Sequence, residues 1–249
     1  MLSLALAQIR NRENIRENFL NHIQFVKEAA SYGCNFILFP ELSLSGYMQE
    51  EVKEKMQLIK KEDMSIFKRL AEENKISISI GLPLEKEDGI FICQKIFCKD
   101  GSIKCYCKRF LHPGEEKYYK SSDDSDWTIT ENSIRIANAI CYDIENESHI
   151  DSAIKKSGLD IYAASICYSK EGISKGIKTL SKTAEEKQVN VAMANYVGKC
   201  WKMDCGGSSG IWDSQGNIVI TADGKTECMV LAEFDTSGWK NFKIQRRQR

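Results

Sequence analysis

The feature that most constrains the fold is a regular alternation of short apolar segments with longer amphipathic ones. Residues 2–8 form an apolar segment of strand length, and apolar side chains then recur at helical spacing over residues 14–32. A second apolar strand is predicted at residues 35–39, and a second helical pattern covers residues 51–74. Strands that alternate with helices in this way predict an α/β domain whose sheets are covered by helices.

The second half of the chain repeats the same coarse order of elements. A strand at residues 133–140 precedes a helix at 147–157, and a later helix covers residues 176–188. The remaining predicted strands are 76–82, 89–97, 103–108, 161–165, 189–195, 209–213, 218–221 and 229–234. Because no long Gly-, Ser- or Pro-rich linker interrupts this order, we expect one domain over residues 1–235 and a C-terminal tail over residues 236–249.

Charge and hydropathy narrow the location and partners expected of the chain. The 249 residues include 35 basic and 35 acidic side chains, so the formal net charge is zero and gives no indication of binding to nucleic acid or to a membrane. No segment approaches the ~18 apolar residues of a spanning helix, and the N-terminus lacks the basic region of an export signal. We therefore expect a cytoplasmic protein whose ten cysteines are reduced thiols.

Three of the predicted strands end at side chains that can carry out chemistry. Glu41 follows the strand at residues 35–39, Lys108 ends the strand at 103–108, and Cys141 follows the strand at 133–140. Binding and catalytic sites in α/β folds lie beyond the carboxyl ends of strands. Taken singly, each residue also has an ordinary structural explanation, namely a salt bridge, a solvated edge charge or a small buried thiol.

Taken together, the three residues supply the parts that a cysteine nucleophile requires. A nucleophilic thiol needs a base, and the oxyanion that it creates needs a cation or hydrogen-bond donors. Of the three histidines, His22 and His149 fall within predicted helices, so only His112 stays open as an alternative base. Glu41 is the better placed base, because a buried glutamate with raised proton affinity can accept the thiol proton.

The segments around these three residues resemble the three motifs of the nitrilase superfamily of carbon–nitrogen hydrolases. They are residues 39–47 around Glu41, residues 106–111 around Lys108 and residues 140–144 around Cys141. Weaker similarity continues through residues 184–195 and 206–211, so that the resemblance spans about residues 1–235. It implies a four-layer α-β-β-α sandwich that forms homodimers, with a Glu–Lys–Cys triad that uses neither a metal nor an organic cofactor.

The resemblance also implies further site residues. A second glutamate follows the lysine motif in many members of the superfamily, and both Glu115 and Glu116 stand in that region. We prefer Glu115, because the aromatic pair of the family then falls three and four residues later, at Tyr118 and Tyr119. The backbone N–H of Tyr142 is the expected second donor to the oxyanion.

The expected activity is hydrolysis of a small amide or N-carbamoyl compound through a thioester on the cysteine. The Cys-Tyr-Asp motif resembles the amidase and carbamoylase branches more than the nitrilases, so we favour an amide over a nitrile substrate. From their order along the chain, we expect Tyr47, Cys167, Tyr168 and Trp201 to contribute to the wall of the substrate pocket.

The chain also departs from the pattern of the superfamily. An Arg-Phe-Pro-Glu run often follows the nucleophile motif, whereas residues 145–148 here read Glu-Asn-Glu-Ser. Thr183 and Lys187 stand where an arginine and an asparagine are common. These changes bring acidic charge close to Cys141, and they motivate an alternative function as a catalytically silent binding or scaffold protein.

The cysteines and the basic C-terminus each allow a different interpretation, as a metal site and as a nucleic-acid contact. Four cysteines could in principle form a zinc site, although their spacings include no Cys-x-x-Cys pair; they are Cys93, Cys98, Cys105 and Cys107. The basic residues over 243–249 could contact nucleic acid, but a solvated or oligomer-contacting terminus is the more ordinary explanation of such a segment.

Overall fold

The computed structural model describes residues 1–12, 14–47, 49–123 and 128–246 of the chain. The α-helices of the described residues are α1 (Ile15–Ser31), α2 (Val52–Gln57), α3 (Lys61–Asn74), α4 (Glu147–Ser157) and α5 (Ile173–Lys187). The strands are β1 (Leu2–Gln8), β2 (Phe36–Leu38), β3 (Ser77–Lys86), β4 (Gly89–Phe97), β5 (Ile103–Cys107), β6 (Thr128–Glu131), β7 (Ile134–Ile140), β8 (Ile161–Ser165), β9 (Asn190–Ala194), β10 (Val197–Cys200), β11 (Met203–Gly206), β12 (Gly210–Trp212), β13 (Ile218–Thr221), β14 (Cys228–Asp235) and β15 (Gly238–Arg246). Short 3-10 turns cover Glu115–Lys117 and Cys141–Glu145.

Two large sheets contain most of the strands, and each has three parallel strands at its centre. The strand order is β15-β14-β1-β2-β3-β4-β5 in the first sheet and β13-β12-β9-β8-β7-β6 in the second. Strands β1 to β3 run parallel, as do β7 to β9, whereas the flanking strands pair antiparallel. Because β5 is antiparallel to β4, it runs in the same direction as β2 and ends at the same edge of the sheet.

The alternation of side chains along each central strand separates two layers of the core. Leu4 and Leu6 of β1 belong to an apolar cluster that also contains residues of β7, β8 and β9, and this cluster joins the two sheets. The alternate residues Ala5 and Ala7 belong to a second cluster, which contains Phe25 of α1. Successive side chains of a strand point to opposite faces, so β1 faces the second sheet on one side and helices on the other.

Helices cover the outer faces of both sheets. Helix α3 contacts β3, β4 and α1 on the first sheet, and α5 contacts β9 and β12 on the second. This arrangement confirms the predicted α-β-β-α sandwich. Among the described residues, none of the helices is both long and apolar enough to cross a membrane.

The predicted helix over residues 51–74 is divided in two in the structure. Helix α2 ends at Gln57, and α3 begins only at Lys61. Lys60 has an extended backbone, and its N–H donates to the Asp63 carboxylate at 3.3 Å. The apolar pattern continues across the break, because Met56, Ile59 and Met64 all pack against the same core. Hydrophobic periodicity alone therefore could not reveal the interruption.

The segment expected to be a C-terminal tail contributes a strand to the first sheet. Strand β15 pairs antiparallel with β14 within residues 236–249, and the Trp239 ring packs on the Phe234 ring with 4.7 Å between their centroids. Residues 247–249, the end of the basic segment, lie outside the described residues. Strands β6, β10 and β11, which are four residues long each, are also absent from the elements that the sequence predicts.

Close contact between two segments of the first sheet fixes the position of Glu41. Gly81 of β3 lies against the main chain of residues 40–42, where a Cβ at position 81 would stand 2.5 Å from the Pro40 carbonyl oxygen and 2.9 Å from the Glu41 carbonyl carbon. The Gly81 carbonyl accepts a hydrogen bond from the Leu44 N–H at 2.9 Å. Glycine is therefore required at position 81 for the segment that carries Glu41 to lie this close.

We predict that Gly81→Ala lowers the free energy of unfolding by about 1–3 kcal/mol, because backbone atoms cannot move aside as a flexible side chain can. Gly172→Ala is the matched control, since the nearest atom to a Cβ there is the Ser169 hydroxyl at 3.5 Å, an ordinary contact. Urea denaturation of both variants measures the difference. Equal stabilities of the two variants would contradict the proposed role of Gly81.

Candidate active site

The three strand ends singled out by the sequence meet in one place. Glu41 follows β2, Lys108 directly follows β5, and Cys141 directly follows β7. Glu41 and Lys108 are both 0 % exposed, and Glu41 and Cys141 line the same cavity. The structure therefore brings together residues that are far apart in the chain: 33 positions separate Lys108 from Cys141, and 100 positions separate Glu41 from Cys141.

A buried ammonium lies at the centre of this group. Lys108 Nζ is 2.7 Å from Glu41 Oε1, and it is 3.0 Å and 2.9 Å from the two carboxylate oxygens of Glu115. Glu115 is itself fully buried in the 3-10 turn that follows β5. Glu116, the other candidate for the second glutamate, is exposed and receives a hydrogen bond from the Gly114 N–H instead. Of the two glutamates, Glu115 is the one in contact with the lysine.

Additional donors hold the Glu115 carboxylate in place. The Tyr47 hydroxyl donates to Glu115 Oε1 at 2.5 Å, and the His112 N–H donates to Oε2 at 2.8 Å. Gln49 donates through its amide to the Tyr47 oxygen at 3.4 Å. Glu115 is thus fixed from several directions, and it fixes Lys108 in turn.

Glu41 has one paired and one unpaired carboxylate oxygen. Oε1 accepts from Lys108, whereas Oε2 is buried and has no hydrogen-bond partner among the described residues. The Tyr196 hydroxyl donates to the Glu41 backbone carbonyl at 2.9 Å, so the main chain is held as well. The unpaired oxygen leaves Glu41 able to accept a proton inside the cavity.

The loop that presents Glu41 is tied to α1 through a buried histidine. The Gly81 N–H donates to Ser43 Oγ at 3.1 Å, and Ser43 Oγ is 2.9 Å from His22 Nε2. His22 Nδ1 lies 2.7 Å from the Asn18 carbonyl, which can only accept, so Nδ1 carries the proton and Nε2 accepts from Ser43. Burial lowers the pKa of His22 to about 4, and this histidine is therefore neutral and structural.

Cys141 is the first residue of a 3-10 turn and directly follows β7. Its φ angle is +44°, a region that residues other than glycine seldom adopt. A strand that turns abruptly in this way exposes the side chain at the corner, as nucleophile elbows do. The first N–H groups of the 3-10 turn, including that of Tyr142, directly follow Cys141 in the chain, and such groups have no partner within their own helix.

Asp143 holds this turn in its unusual conformation. Its Oδ2 accepts from the Ile140 N–H at 2.9 Å and from the Tyr106 hydroxyl at 2.5 Å. Its Oδ1 accepts from the N–H groups of Arg109 and Phe110, at 3.1 Å and 2.9 Å. Asp143 therefore joins the segment that follows Lys108 to the segment that carries Cys141.

His149 extends the same buried network and is not a base for Cys141. The Tyr106 hydroxyl gives its proton to Asp143, so His149 Nε2, 2.7 Å from the Tyr106 oxygen, must be the donor in that contact. His149 Nδ1 then accepts from the Tyr162 hydroxyl at 2.7 Å. Burial lowers the pKa of His149, which agrees with a neutral ring. The sequence did not mark these positioning residues, because their contacts join separate elements of the chain: Tyr106 is 37 positions from Asp143 and 43 positions from His149.

The pKa values of Glu41 and Lys108 are shifted because two buried carboxylates, those of Glu41 and Glu115, share one ammonium. Burial raises the pKa of Glu41 to about 7, and the attraction of Lys108 only partly offsets this effect. Burial by itself lowers the pKa of Lys108, but the neighbouring negative charges, led by that of Glu41, raise it well above its ordinary value. Lys108 therefore stays charged, while Glu41 is poised between its two protonation states near neutral pH.

The Cys141 thiol is protonated in the resting site. Burial and then the negative charge of Glu41 raise the pKa of Cys141 well above its ordinary value, although Lys108 opposes this effect. A thiol of this kind reacts only when a base removes its proton during the attack. For the Cys–His alternative, His112 lines the same cavity as Cys141, but its ring contacts the Tyr142 ring and the Pro113 carbonyl, whereas the buried Glu41 carboxylate has an unpaired oxygen that can accept the proton.

The cavity in front of Cys141 has a volume of about 440 Å³. The four residues expected in the pocket wall all line it: Tyr47, Cys167, Tyr168 and Trp201. The Tyr168 hydroxyl is buried and has no hydrogen-bond partner among the described residues. A cavity of this size and lining suits a small organic molecule with at least one polar group.

The acidic residues that follow the nucleophile motif are paired with lysines. Glu145 lies at the cavity and forms an ion pair with Lys175 at 3.0 Å. Lys187 lies 3.6 Å from Glu147 and 2.7 Å from Asp151. The departure from the superfamily pattern therefore leaves less uncompensated acidic charge near Cys141 than the sequence indicates.

The structure corrects the expectation that every cysteine is a free thiol. Cys93 and Cys107 are opposite each other on β4 and β5 and form a disulfide. Cys105 lies beside this pair, so the bond uses two of the cysteines that the zinc interpretation requires. Cys98 is not part of that group and is a buried free thiol.

The sequence of this chain is similar to that of a known protein family and of several curated proteins. The family described as carbon–nitrogen hydrolase matches residues 3–244. Among curated proteins, a glutamine-dependent NAD(+) synthetase of Acinetobacter baylyi is 24% identical over 97% of this chain and 46% of its own length. A cyanide hydratase of Gibberella baccata is 25% identical over 50% of this chain and 40% of its own length. The chain spans less than half the length of these curated relatives.

Solved structures share the fold along almost the whole chain. The NitN amidase of Nesterenkonia sp. AN1 superposes with a TM-score of 0.85 and 18% identity, over 95% of this chain and 94% of that chain. A mutant of the Nesterenkonia amidase carrying the product of Michael addition of acrylamide at its active site cysteine has the same TM-score and identity, over 94% of both chains. At this identity the similarity establishes the fold.

We predict that Glu115→Gln shifts the reactivity of Cys141 to lower pH. The charge of Glu115 helps to raise the pKa of Glu41 to about 7, and a carboxylate with a raised pKa is a competent base only above that pKa. In the wild type, the rate of Cys141 alkylation by iodoacetamide should therefore fall as the pH drops through about 7. Removal of the Glu115 charge should move this fall to lower pH.

Peptide mass spectrometry follows Cys141 separately from the other free cysteines, and the measurement needs no substrate. Glu116→Gln is the matched control, because Glu116 belongs to the same 3-10 turn and is exposed. The apparent pKa belongs to the coupled group as a whole rather than to one residue. A profile that moves equally in both variants, or in neither, would contradict this account of the site.

We predict that Asp143→Asn destabilises the nucleophile turn by about 1–3 kcal/mol, the typical effect of leaving buried donors unsatisfied. Both carboxylate oxygens accept from two donors each, so the NH₂ group of an asparagine must oppose one of these pairs in either orientation. Glu145→Gln in the same turn is the control, since its partner Lys175 is exposed. Urea denaturation that shows no difference between the two variants would rule out this role of Asp143.

Proposed function

This chain belongs to the carbon–nitrogen hydrolase family, and we propose that it hydrolyses a small amide or N-carbamoyl compound through a thioester on Cys141. The main support is the buried ammonium of Lys108, which is fixed by two carboxylates beside the cavity that contains Cys141. Such a preorganised cation stabilises an oxyanion, and it does so without reorganisation during the reaction.

In the first half of the reaction, Glu41 is the base and Cys141 the nucleophile. The unpaired Oε2 of Glu41 takes the thiol proton while the sulfur forms a bond to the carbonyl carbon. The carbonyl oxygen becomes an oxyanion that receives hydrogen bonds from Lys108 Nζ and the Tyr142 N–H. The carbon–nitrogen bond then breaks, Glu41 returns its proton to the leaving nitrogen, and the acyl group stays on sulfur as a thioester.

In the second half, water replaces the departed amine. Glu41, again ionised, takes a proton from the water as its oxygen attacks the thioester carbon, and the same donors bind the oxyanion. The carbon–sulfur bond then breaks, the sulfur regains the proton from Glu41, and an acid is released. The pKa of Glu41 near 7 suits both roles, because the residue must both accept and donate a proton at neutral pH.

A primary amide is the substrate class that we favour. The curated relative that matches 97% of this chain is named for its dependence on glutamine, whose side chain is a primary amide. The relative named a cyanide hydratase matches only 50% of this chain. Inside the cavity, the unpartnered Tyr168 hydroxyl can bind a polar group of the substrate, and the aromatic lining can contact its apolar part.

A catalytically silent binding protein is the second candidate function. The acidic residues 145–148 motivate it, but Glu145 and Glu147 each lie within ion-pair distance of a lysine. A silent protein has no need for a buried, unpaired carboxylate oxygen on a residue that lines the same cavity as a cysteine with a strained backbone, since both features destabilise the fold. These observations favour the enzyme.

Two further expectations accompany the proposal. We expect a homodimer, which light scattering tests as twice the mass of one chain. We also expect a cytoplasmic location, which fractionation of the source cells tests. The chemistry does not require a dimer, because all four proposed site residues come from one chain. It does not depend on the location of the protein either.

We predict that the purified protein releases ammonia from one class within a panel of primary amides, N-carbamoyl amines and nitriles, and that Cys141→Ala abolishes this release. Cys105→Ala is the matched control, because this half-buried thiol lies outside the cavity and should not affect turnover. Release that persists in Cys141→Ala would refute the thioester mechanism. Silence of the wild type throughout the panel would favour the binding protein.

A further inference from the structure

Three free cysteines converge at one buried point beside the cavity. Cys167 lies just beyond β8, Cys200 ends β10, and Cys205 lies on β11. They are 6 %, 1 % and 0 % exposed, and their sulfur atoms all lie within 4.8 Å of one another. The catalytic scheme uses none of these three sulfur atoms.

The geometry of this three-sulfur cluster is that of a metal–thiolate triangle. The Cys167 sulfur is 3.9 Å from the Cys200 sulfur and 3.9 Å from the Cys205 sulfur. With zinc–sulfur bonds of about 2.3 Å and tetrahedral angles, two sulfur ligands of one ion lie about 3.8 Å apart. Two of the three sulfur pairs are therefore already near the separation that a shared ion requires, and the third pair lies within 4.8 Å, whereas a disulfide requires two of the atoms to approach to about 2.05 Å.

The backbone around the cluster fixes the three side chains. Strands β10 and β11 pair with Gly198 opposite Cys205 and with Cys200 opposite Met203. Cys205 also forms an antiparallel bridge with Ser169, two residues after Cys167. Since each cysteine is held by backbone pairing or lies next to it, the convergence of the sulfur atoms does not depend on flexible loops.

We propose that Cys167, Cys200 and Cys205 form a binding site for a thiophilic metal ion of the Zn²⁺ or Cd²⁺ type. Soft thiolate ligands select such ions, and the group contains no carboxylate or imidazole that would favour a harder one. The ion has a route to the site, because Cys167 lines the cavity. Three protein sulfurs leave a fourth coordination position for water or a small ligand. This inference does not rest on the proposed hydrolysis, although Cys167 lines the same cavity as Cys141.

Titration of the full-length protein with Cd²⁺ tests the proposal directly, with the Cys93–Cys107 disulfide kept intact so that these two cysteines cannot bind the ion. We expect one ion per chain, with the ultraviolet charge-transfer absorption of cadmium–thiolate bonds. Cys200→Ser and Cys205→Ser should each weaken binding by more than about 10-fold, since loss of even an outer partner of a metal ligand costs about 10- to 100-fold. Cys34→Ser is the control, because this buried thiol is not part of the cluster, and it should bind like the wild type.

Two further measurements separate this site from competing explanations. Cys141→Ser should still bind Cd²⁺, and loss of binding in that variant alone would place the ion at the catalytic cysteine and overturn the proposal. In the unmodified protein, bound Cd²⁺ should slow alkylation of Cys167, Cys200 and Cys205 during brief denaturant pulses, while Cys34 is unaffected. Equal protection of all cysteines, or no uptake by the wild type, would show that the three thiols only fill space in the core.

Discussion

The arrangement of the site depends on one interaction, the ion pairing of Lys108 with Glu41 and Glu115 in the protein interior. An isolated ammonium buried in this way would be destabilised by several kcal/mol, so it persists only because both carboxylates surround it. The second carboxylate has a further consequence: with two negative charges on one positive charge, Glu41 cannot be held firmly as an anion. Burial raises the pKa of Glu41 to about 7, the pairing with Lys108 limits this rise, and the charge of Glu115 adds to it.

The fold delivers these groups through its parallel strands. Strands β2 and β5 end at the same edge of the first sheet, and β7 brings Cys141 from the second sheet. The close packing of Gly81 on the segment around Glu41 and the four hydrogen bonds to Asp143 then set the final positions. Gly81 and Asp143 therefore act by positioning the groups that carry out the chemistry, and neither is assigned a contact with the substrate.

The sequence was sufficient to predict the groups at the strand ends, because an apolar run that stops at a charged or nucleophilic residue is visible locally. It could not reveal the partners of these groups: Tyr106 meets Asp143 across 37 positions, and Cys93 meets Cys107 only because of the register of two strands. Strand β15 was not predicted from the sequence for a different reason. It is a polar, half-exposed edge strand, so its side chains lack the alternation that marks a buried strand.

The distribution of charge also explains why a protonated thiol is compatible with catalysis here. When Glu41 takes the proton of Cys141, a negative charge moves from oxygen to sulfur, and the total charge of the buried group is unchanged. The subsequent attack moves the same charge onto the substrate oxygen, close to Lys108, which the remaining carboxylate of Glu115 still holds in place. No step requires a new charge to enter the low-dielectric interior from water, which would be the most expensive event in such a site. A permanently ionised thiolate beside two carboxylates would, by contrast, add a third negative charge around a single lysine, and the high pKa of Cys141 reflects its burial first and then this repulsion.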